Sequence, residues 1–194
     1  MQSGSLPTVR RGDHACCIFA SDDDQARLVG QFARDAFERG DRLFYLADRS
    51  DEDAVVALLD EAALDGRARL DMGALQILHS SEMGLESGFD PERQFAVWHA
   101  LTHQARTDGY GGLAAATEMT WAQTWKLDPE VLLDYETTAG GAFASGELSA
   151  LCQYDSRFFD HDVVHDARRA HAVAVAVDED RSVVDWERLR LERE

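Results

Sequence analysis

The feature that most constrains this chain is a series of six short apolar runs whose residues do not alternate with polar ones. Strands that are apolar at every position are buried on both faces, and such strands occur in parallel sheets covered by helices. The stretches between the runs are long enough to hold connecting helices. The runs lie at residues 14–20, 42–47, 75–78, 113–117, 148–154 and 171–177.

The segments between these runs carry helix signals. Residues 22–39 place apolar side chains at helical spacing, and Ser50 opens a second helix. Asp90-Pro91 and Asp128-Pro129 each combine an N-cap residue with a proline at the first helical position. A last helix is predicted near residues 162–170. The predicted fold class is therefore α/β, in three layers, with a mainly parallel sheet and helices on both of its faces.

The 194 residues suffice for one domain with a sizeable core. We predict a flexible tail at residues 1–10, a single domain at residues 11–177, and a charged tail or short helix at residues 178–194. The apolar positions of that last segment are Val183, Trp186 and Leu189.

Charge excludes several classes of partner. The net charge of −18 opposes direct binding of nucleic acid, which requires clustered basic residues, and it opposes an anionic membrane surface. No apolar run approaches the roughly 20 residues of a membrane span, and residues 1–10 lack the apolar core of a signal peptide. Three cysteines do not form a disulfide framework, so the expected location is the cytoplasm.

Motifs for nucleotide chemistry are absent from the sequence. No G-x-x-x-x-G-K-[ST] sequence, no Rossmann glycine pattern and no G-x-S-x-G elbow occurs. The first strand-to-helix turn reads Ser21-Asp22-Asp23-Asp24, and these carboxylates can occupy the positive end of the helix themselves. We therefore expect neither ATP hydrolysis through a P-loop nor another catalytic activity.

Polar residues close three of the apolar runs. They are Thr117-Glu118-Met119-Thr120-Trp121, Cys152-Gln153-Tyr154-Asp155 and His79-Ser80-Ser81-Glu82. Because ligands bind at the carboxyl ends of strands in open α/β sheets, these three tips predict one crevice. The candidate ligand-binding residues are Glu118, Thr120, Trp121, His14, His79, Cys152 and Tyr154.

Each candidate also has a structural interpretation. Glu118 could form a buried ion pair with an arginine, and Trp121 could simply fill the core. Cys152 could be a small buried apolar residue, and Tyr154 with Asp155 could cap the next segment. The sequence leaves these alternatives open.

The sequence predicts no metal site and no cofactor. His99 and His103 lie one helical turn apart, as do His161 and His165, but neither pair has an evident third ligand. Cys16 and Cys17 are neighbours in a strand, so their side chains should face opposite sides of the sheet.

An ordered set of motifs resembles the MEDS domain (methanogen/methylotroph, DcmR sensory domain), over roughly residues 11–177. The motifs are Gly12-Asp13-His14, the acidic turn Ser21 to Asp24, Leu43 to Asp48, Phe89-Asp90-Pro91-Glu92-Arg93, Asp108-Gly109-Tyr110, Glu118-Met119-Thr120-Trp121, Leu133-Asp134-Tyr135-Glu136 and Leu151-Cys152-Gln153-Tyr154-Asp155.

The resemblance implies a RecA/KaiC-like α/β fold that has lost its phosphate loop. It also implies the sensing of small molecules such as hydrocarbon derivatives, in a family whose members occur beside DNA-binding, STAS or histidine-kinase modules. Residues 178–194 are too few for an effector domain, so we expect this chain to act on a protein partner in trans or through self-association.

Three functional hypotheses follow. The first is a cytoplasmic signal-sensing domain that binds a small apolar or hydrocarbon-derived ligand, shifts between two conformations and regulates a partner in transcription or signal transduction. The second is a protein-interaction module without a ligand, which presents its acidic surface to a basic partner. The third is an enzyme that uses Glu118 as a general acid or base.

Overall fold

The protein, described here by a computed structural model, is a three-layer α/β structure. The structure describes residues 8–84, 88–143, 146–177 and 183–186. The strands are β1 (His14–Phe19), β2 (Arg42–Ala47), β3 (Leu75–His79), β4 (Leu113–Glu118), β5 (Leu148–Asp155), β6 (Val173–Val177) and β7 (Val183–Trp186). The helices are α1 (Asp22–Glu38), α2 (Glu52–Glu61), α3 (Gly66–Asp71), α4 (Pro91–Thr107), α5 (Trp121–Thr124), α6 (Pro129–Ala142) and α7 (His161–Ala170).

The seven strands form one sheet in the order β3-β2-β4-β5-β1-β6-β7. The first six strands along the chain are parallel, and β7 pairs antiparallel with β6. All carboxyl ends of the six parallel strands therefore lie at one edge of the sheet. β4, β5 and β1 are adjacent at its centre, so the residues that follow them lie close together.

Side-chain alternation divides the core into two halves. One half packs α1 and α2 against the sheet face that carries Ala15, Cys17 and Ala116. The other half packs α4, α5, α6 and α7 against the face that carries Cys16, Ala115 and Cys152. We call these the α1 face and the α6 face. Cys16 and Cys17 lie on opposite faces, as the strand period predicts.

Local sequence explains where the long helices begin. Ser21 caps α1 by accepting a hydrogen bond from the backbone N–H of Asp24, and three aspartates occupy the first turn. Asp90 and Asp128 cap α4 and α6, each followed by proline. The cap of α2 is Asp51, one residue later than the predicted Ser50.

The α/β class and the mainly parallel sheet are confirmed, but the carboxyl-terminal segment differs from its prediction. Val183–Trp186 is a strand rather than part of a tail or a helix. Adjacent valines favour extended backbone, and the outer edge of β6 offers unpaired backbone groups. Leu189 and residues 1–7 lie outside the described residues. Within the described part of the chain, no helix has both the length and the apolar character to cross a membrane.

Candidate functional site

Two cavities lie on opposite faces of the sheet, one at its carboxyl edge and one that extends from the middle of β4 and β5 toward that edge. On β4, Glu118 points to the α1 face, whereas Thr117, and Met119 just after the strand, line a cavity on the α6 face. On β5, Gln153 and Cys152 divide in the same way. The expected single crevice is therefore two separate sites, because consecutive strand residues point to opposite sides of a sheet.

The cavity on the α1 face, which we call the acidic cleft, has a volume of about 520 Å³. Four carboxylates and two guanidinium groups are among its lining residues, so its local charge is negative. These charged residues are Asp22, Glu61, Glu118, Asp155, Arg49 and Arg157.

Glu118 is held by hydrogen bonds, and among the described residues none of them comes from an arginine side chain. Its Oε2 accepts from the backbone N–H groups of residues 48, 49 and 50 at 2.8, 2.8 and 3.2 Å. Its Oε1 accepts from the Tyr45 hydroxyl at 2.9 Å. The carboxylate thus fixes the loop that connects β2 to α2, and burial with the Glu118 carboxylate adjacent raises the pKa of Tyr45 well above its usual range.

Arg157 closes the acidic cleft near the first turn of α1. It donates to Asp155 at 2.6 Å and to Asp22 at 2.6 Å, and these hydrogen bonds raise its pKa. The Ser21 hydroxyl donates to Asp24 at 2.6 Å. The turn that would cradle phosphate in a P-loop protein is therefore occupied by the protein's own charged and capping groups.

The cavity on the α6 face, which we call the aromatic pocket, is small and enclosed by rings. Its volume is about 30 Å³, close to the space that one water molecule occupies. Phe89 stacks on Trp121 with a centroid distance of 5.3 Å and meets the edge of Tyr135 at 5.1 Å. The buried indole N–H of Trp121 has no hydrogen-bond partner in the described part of the chain. The walls of the pocket are thus mostly apolar, and the unpartnered groups that border it are the Trp121 N–H and, at its polar base, His14 Nδ1 and Glu136 Oε1.

A buried hydrogen bond joins the two helices that wall the aromatic pocket. The Trp98 indole N–H on α4 donates to the Tyr135 hydroxyl on α6 at 2.9 Å. Burial raises the pKa of Tyr135, so its hydroxyl keeps its proton at neutral pH. This contact fixes the spacing of α4 and α6 on either side of the pocket.

Four polar side chains form a cluster at the base of the aromatic pocket. They come from β1, α6, β5 and the residue after α7, and all are buried. Glu136 Oε2 lies 3.0 Å from His14 Nε2, 3.1 Å from His171 Nε2 and 3.7 Å from Cys152 Sγ. Cys152 Sγ lies 3.4 Å from His14 Nε2. His14, Glu136 and Cys152 also line the pocket, so the cluster and the pocket adjoin.

The cluster perturbs the pKa values of its members. Burial and the adjacent His171 lower the pKa of His14. Burial alone would raise the pKa of Glu136, but the two neighbouring imidazoles outweigh it and lower that pKa. Burial opposes the charged form of His171, yet the sulfur atoms of Cys16 and Cys152 and the Glu136 carboxylate raise its pKa well above the usual value. Burial and the adjacent carboxylate raise the pKa of Cys152 to about 12.

The candidate residues from the sequence are thus distributed over several places. Glu118 and Thr120 line the acidic cleft, whereas Trp121, His14 and Cys152 line the aromatic pocket. The other two candidates, His79 and Tyr154, line neither cavity.

His79 and Tyr154 have structural contacts of their own. His79 closes β3, and its Nε2 lies 2.8 Å from the carbonyl oxygen of residue 48. Tyr154 is buried against Phe159, with its ring 6.2 Å from that of His171.

Sequence reasoning missed two members of the cluster, Glu136 and His171. A signal for Glu136 existed, because Leu132, Tyr135, Glu136 and Ala139 have the i, i+3, i+4, i+7 spacing of a buried helix face. A carboxylate on such a face must find partners. The sequence predicts His171 only as the first residue of a strand, and nothing in its neighbours indicates that it meets β1 and β5.

Comparisons with known proteins support the fold and assign a family. A family model described as "MEthanogen/methylotroph, DcmR Sensory domain" (MEDS) matches residues 13–172. The crystal structure of the flagellar accessory protein FlaH from Methanocaldococcus jannaschii is similar, with a TM-score of 0.59 at 8% sequence identity, covering 87% of this chain and 72% of that one. At this identity the likeness shows the fold alone, which is RecA-like. No curated protein matches the sequence.

Proposed function

The chain belongs to the MEDS family, and from that premise we propose that it is a sensory domain that binds a small apolar molecule in the aromatic pocket. The observation that carries the proposal is the pocket itself. It is lined mainly by aromatic and alanine side chains, it extends over the α6 face of a parallel sheet as far as the carboxyl ends of β2 and β4, and it has a defined polar base.

The size and lining of the pocket define the class of ligand. A volume of about 30 Å³, close to that of one water molecule, admits one or two heavy atoms, so we infer a one-carbon compound of about the size of methanol. Apolar walls favour a hydrocarbon body, and the free N–H of Trp121 favours one acceptor atom, such as oxygen, sulfur or halogen. A larger ligand would have to displace Phe89, which is half-buried over Trp121.

Ligand binding would alter the contact between α4 and α6. Both helices wall the pocket, and the Trp98–Tyr135 hydrogen bond joins them. A ligand that separates the two helices would stabilise a second arrangement of the outer surface, which a protein partner could recognise. The net charge of −18 suits a basic protein surface. The free thiols of all three cysteines suit a reducing compartment, and we propose the cytoplasm.

The two rival hypotheses have weaker support. A catalytic role for Glu118 would need free lone pairs, but four donors already occupy its two oxygens. A module that binds only proteins would not need an apolar cavity beside a buried polar cluster. We therefore propose binding without catalysis.

A panel of small compounds tests the proposal. Methanol, methanethiol, dichloromethane and xenon would be titrated into the protein while backbone amide shifts are followed by NMR. We expect at least one compound to shift amides of β4, α4 and α6, with saturation. If no compound of the panel produces a saturable shift in these elements, the proposed ligand site is wrong.

Two neighbouring alanines of β4 provide a matched pair of variants. Ala115→Val adds two methyl groups inside the pocket and should weaken binding at least ten-fold. Ala114→Val makes the same change on the opposite face of the same strand and should leave the affinity within two-fold. Equal effects of the two substitutions would show that the response is not local to the pocket.

A further inference from the structure

We propose that His14, Glu136, Cys152 and His171 form a binding site for a divalent transition metal of the zinc class at the base of the aromatic pocket. Such a site goes beyond the proposed function, because it would bind metal whether or not the domain senses a ligand. Each of these four side chains offers one donor atom, and the four atoms all lie within 4.8 Å of one another.

The spacing of the four donor atoms is close to that of a tetrahedral site. Metal–ligand bonds of about 2.0–2.3 Å place neighbouring ligand atoms roughly 3.3–3.8 Å apart. The measured separations between Glu136 Oε2 and His14, His171 and Cys152 are 3.0, 3.1 and 3.7 Å, and that between Cys152 and His14 is 3.4 Å. The other two separations are no longer than 4.8 Å, so shifts of up to about 1 Å would admit the ion.

Hydrogen bonding within the cluster is incomplete without a further group. His171 Nε2 lies 3.1 Å from Glu136 Oε2, but its N–H direction does not form a hydrogen bond. A network that existed only to pair one carboxylate with one imidazolium would align this contact, because both groups are buried. A cation bound by Glu136 Oε2 and His171 Nε2 would satisfy both of these atoms without that alignment.

An outer contact already orients one ligand. His171 Nδ1 lies 2.7 Å from the carbonyl oxygen of Ala167 on α7, to which it donates as N–H. A histidine fixed in this way directs Nε2 toward the cluster. Metal-binding histidines generally use this arrangement, in which the second ring nitrogen donates to a carbonyl or a carboxylate.

The chemistry of the donor set selects the metal. One thiolate, one carboxylate and two neutral imidazoles carry two negative charges, which a divalent cation neutralises inside the core. Sulfur and imidazole ligands favour zinc-class ions over magnesium or calcium, which prefer oxygen. The bound cation would displace the thiol proton of Cys152 to solvent. Four protein ligands from four elements make a closed site that joins α6 to the centre of the sheet.

The first test measures stoichiometry and ligand type with the metal alone. The full chain, stripped with a chelator, would be titrated with Co²⁺ and with Zn²⁺. We expect one ion per chain, a tetrahedral Co²⁺ spectrum with a thiolate-to-metal charge-transfer band, and displacement of Co²⁺ by Zn²⁺. Substoichiometric binding, or a Co²⁺ spectrum without the thiolate band, would overturn the proposal.

A matched pair of cysteine variants locates the site. Cys152→Ser removes the proposed sulfur ligand and should abolish the charge-transfer band and weaken metal binding at least ten-fold. Cys17→Ser makes the same change at another buried cysteine, whose side chain lies on the α1 face, and should retain the band. Loss of the band in both variants, or in neither, would refute the assignment. If Cys152→Ser does not fold, the stoichiometry and spectrum of the unsubstituted protein decide the question.

Discussion

At the scale of the residue, Glu118 shows how a strand-tip carboxylate can serve the fold. The sequence placed it correctly at the end of a buried strand but could not identify its partners. Those partners are backbone N–H groups of residues 48–50 and the Tyr45 hydroxyl, about 70 residues earlier in the chain. Backbone donors leave no trace in a sequence, whereas an arginine partner would. Glu118 therefore fixes the loop of residues 48–50 in the wall of the acidic cleft, and this role does not require a ligand.

Substitution of Glu118 should cost stability in proportion to the acceptors that are lost. Glu118→Gln keeps one oxygen for the backbone donors and should lower the free energy of unfolding by about 1–2 kcal/mol, whereas Glu118→Ala leaves them without an acceptor and should lower it by about 2–4 kcal/mol. Urea denaturation measures both. Glu61→Ala removes a carboxylate from the same cleft at an exposed position and should change stability by less than about 0.5 kcal/mol. Equal losses for Glu118→Ala and Glu61→Ala would show that the hydrogen bonds of Glu118 contribute little.

At the scale of the element, the sequence predicted helices that are marked by local caps and missed short elements that depend on contacts with other parts of the fold. The caps at Asp90 and Asp128 mark helices within a few residues, so α4 and α6 were predicted near their observed starts. Helices α3 and α5 have six and four residues, too few to show a periodic pattern. Strand β7 forms where the edge of β6 offers partners, and that edge is defined only once the sheet exists.

The packing of α1 against α2 provides a test at this scale. A Cβ atom at Gly30 would lie 2.5 Å from the Cβ of Ala62, so the two helices approach closely at this point. Gly30→Ala should destabilise the protein by about 1–3 kcal/mol, because one helix must move. A Cβ atom at Gly140 in α6 would meet no atom within 4 Å outside its own stretch of helix, and Gly140→Ala should stabilise by about 0.5–1 kcal/mol. Thermal melts of the two variants should shift in opposite directions, and shifts of the same sign would contradict this interpretation of the helix packing.

At the scale of the whole molecule, the alternation of side chains between the two sheet faces separates the acidic cleft from the aromatic pocket. The sequence predicted that polar tips gather at one edge of a parallel sheet, and the fold it predicted is confirmed. The alternation of side chains along β4 then directs Glu118 to the acidic cleft and Thr117 to the aromatic pocket. The buried cluster could not be predicted as a unit, because Glu136 and His171 reach it from α6 and from the end of α7. Ligand sites built from four elements become visible only when the topology brings those elements together.

The charge of the acidic cleft predicts weak binding of nucleotide. Four carboxylates and two guanidinium groups line the acidic cleft, Arg157 is engaged by Asp155 and Asp22, and Ser21 caps the first turn of α1. The likeness to FlaH shows the fold alone, and this chain has no P-loop lysine to offset the phosphate charge. We expect ATP with Mg²⁺ to bind with a Kd weaker than about 1 mM, measured by isothermal calorimetry against a titration of Mg²⁺ alone. Neutralising Asp22, Asp23 and Asp24 together as asparagines should not create tight binding, because the phosphate cradle itself is missing. Micromolar affinity in the unsubstituted protein would show that the acidic cleft accepts nucleotide by a route other than a P-loop, and the separation of roles between the two faces would have to be abandoned.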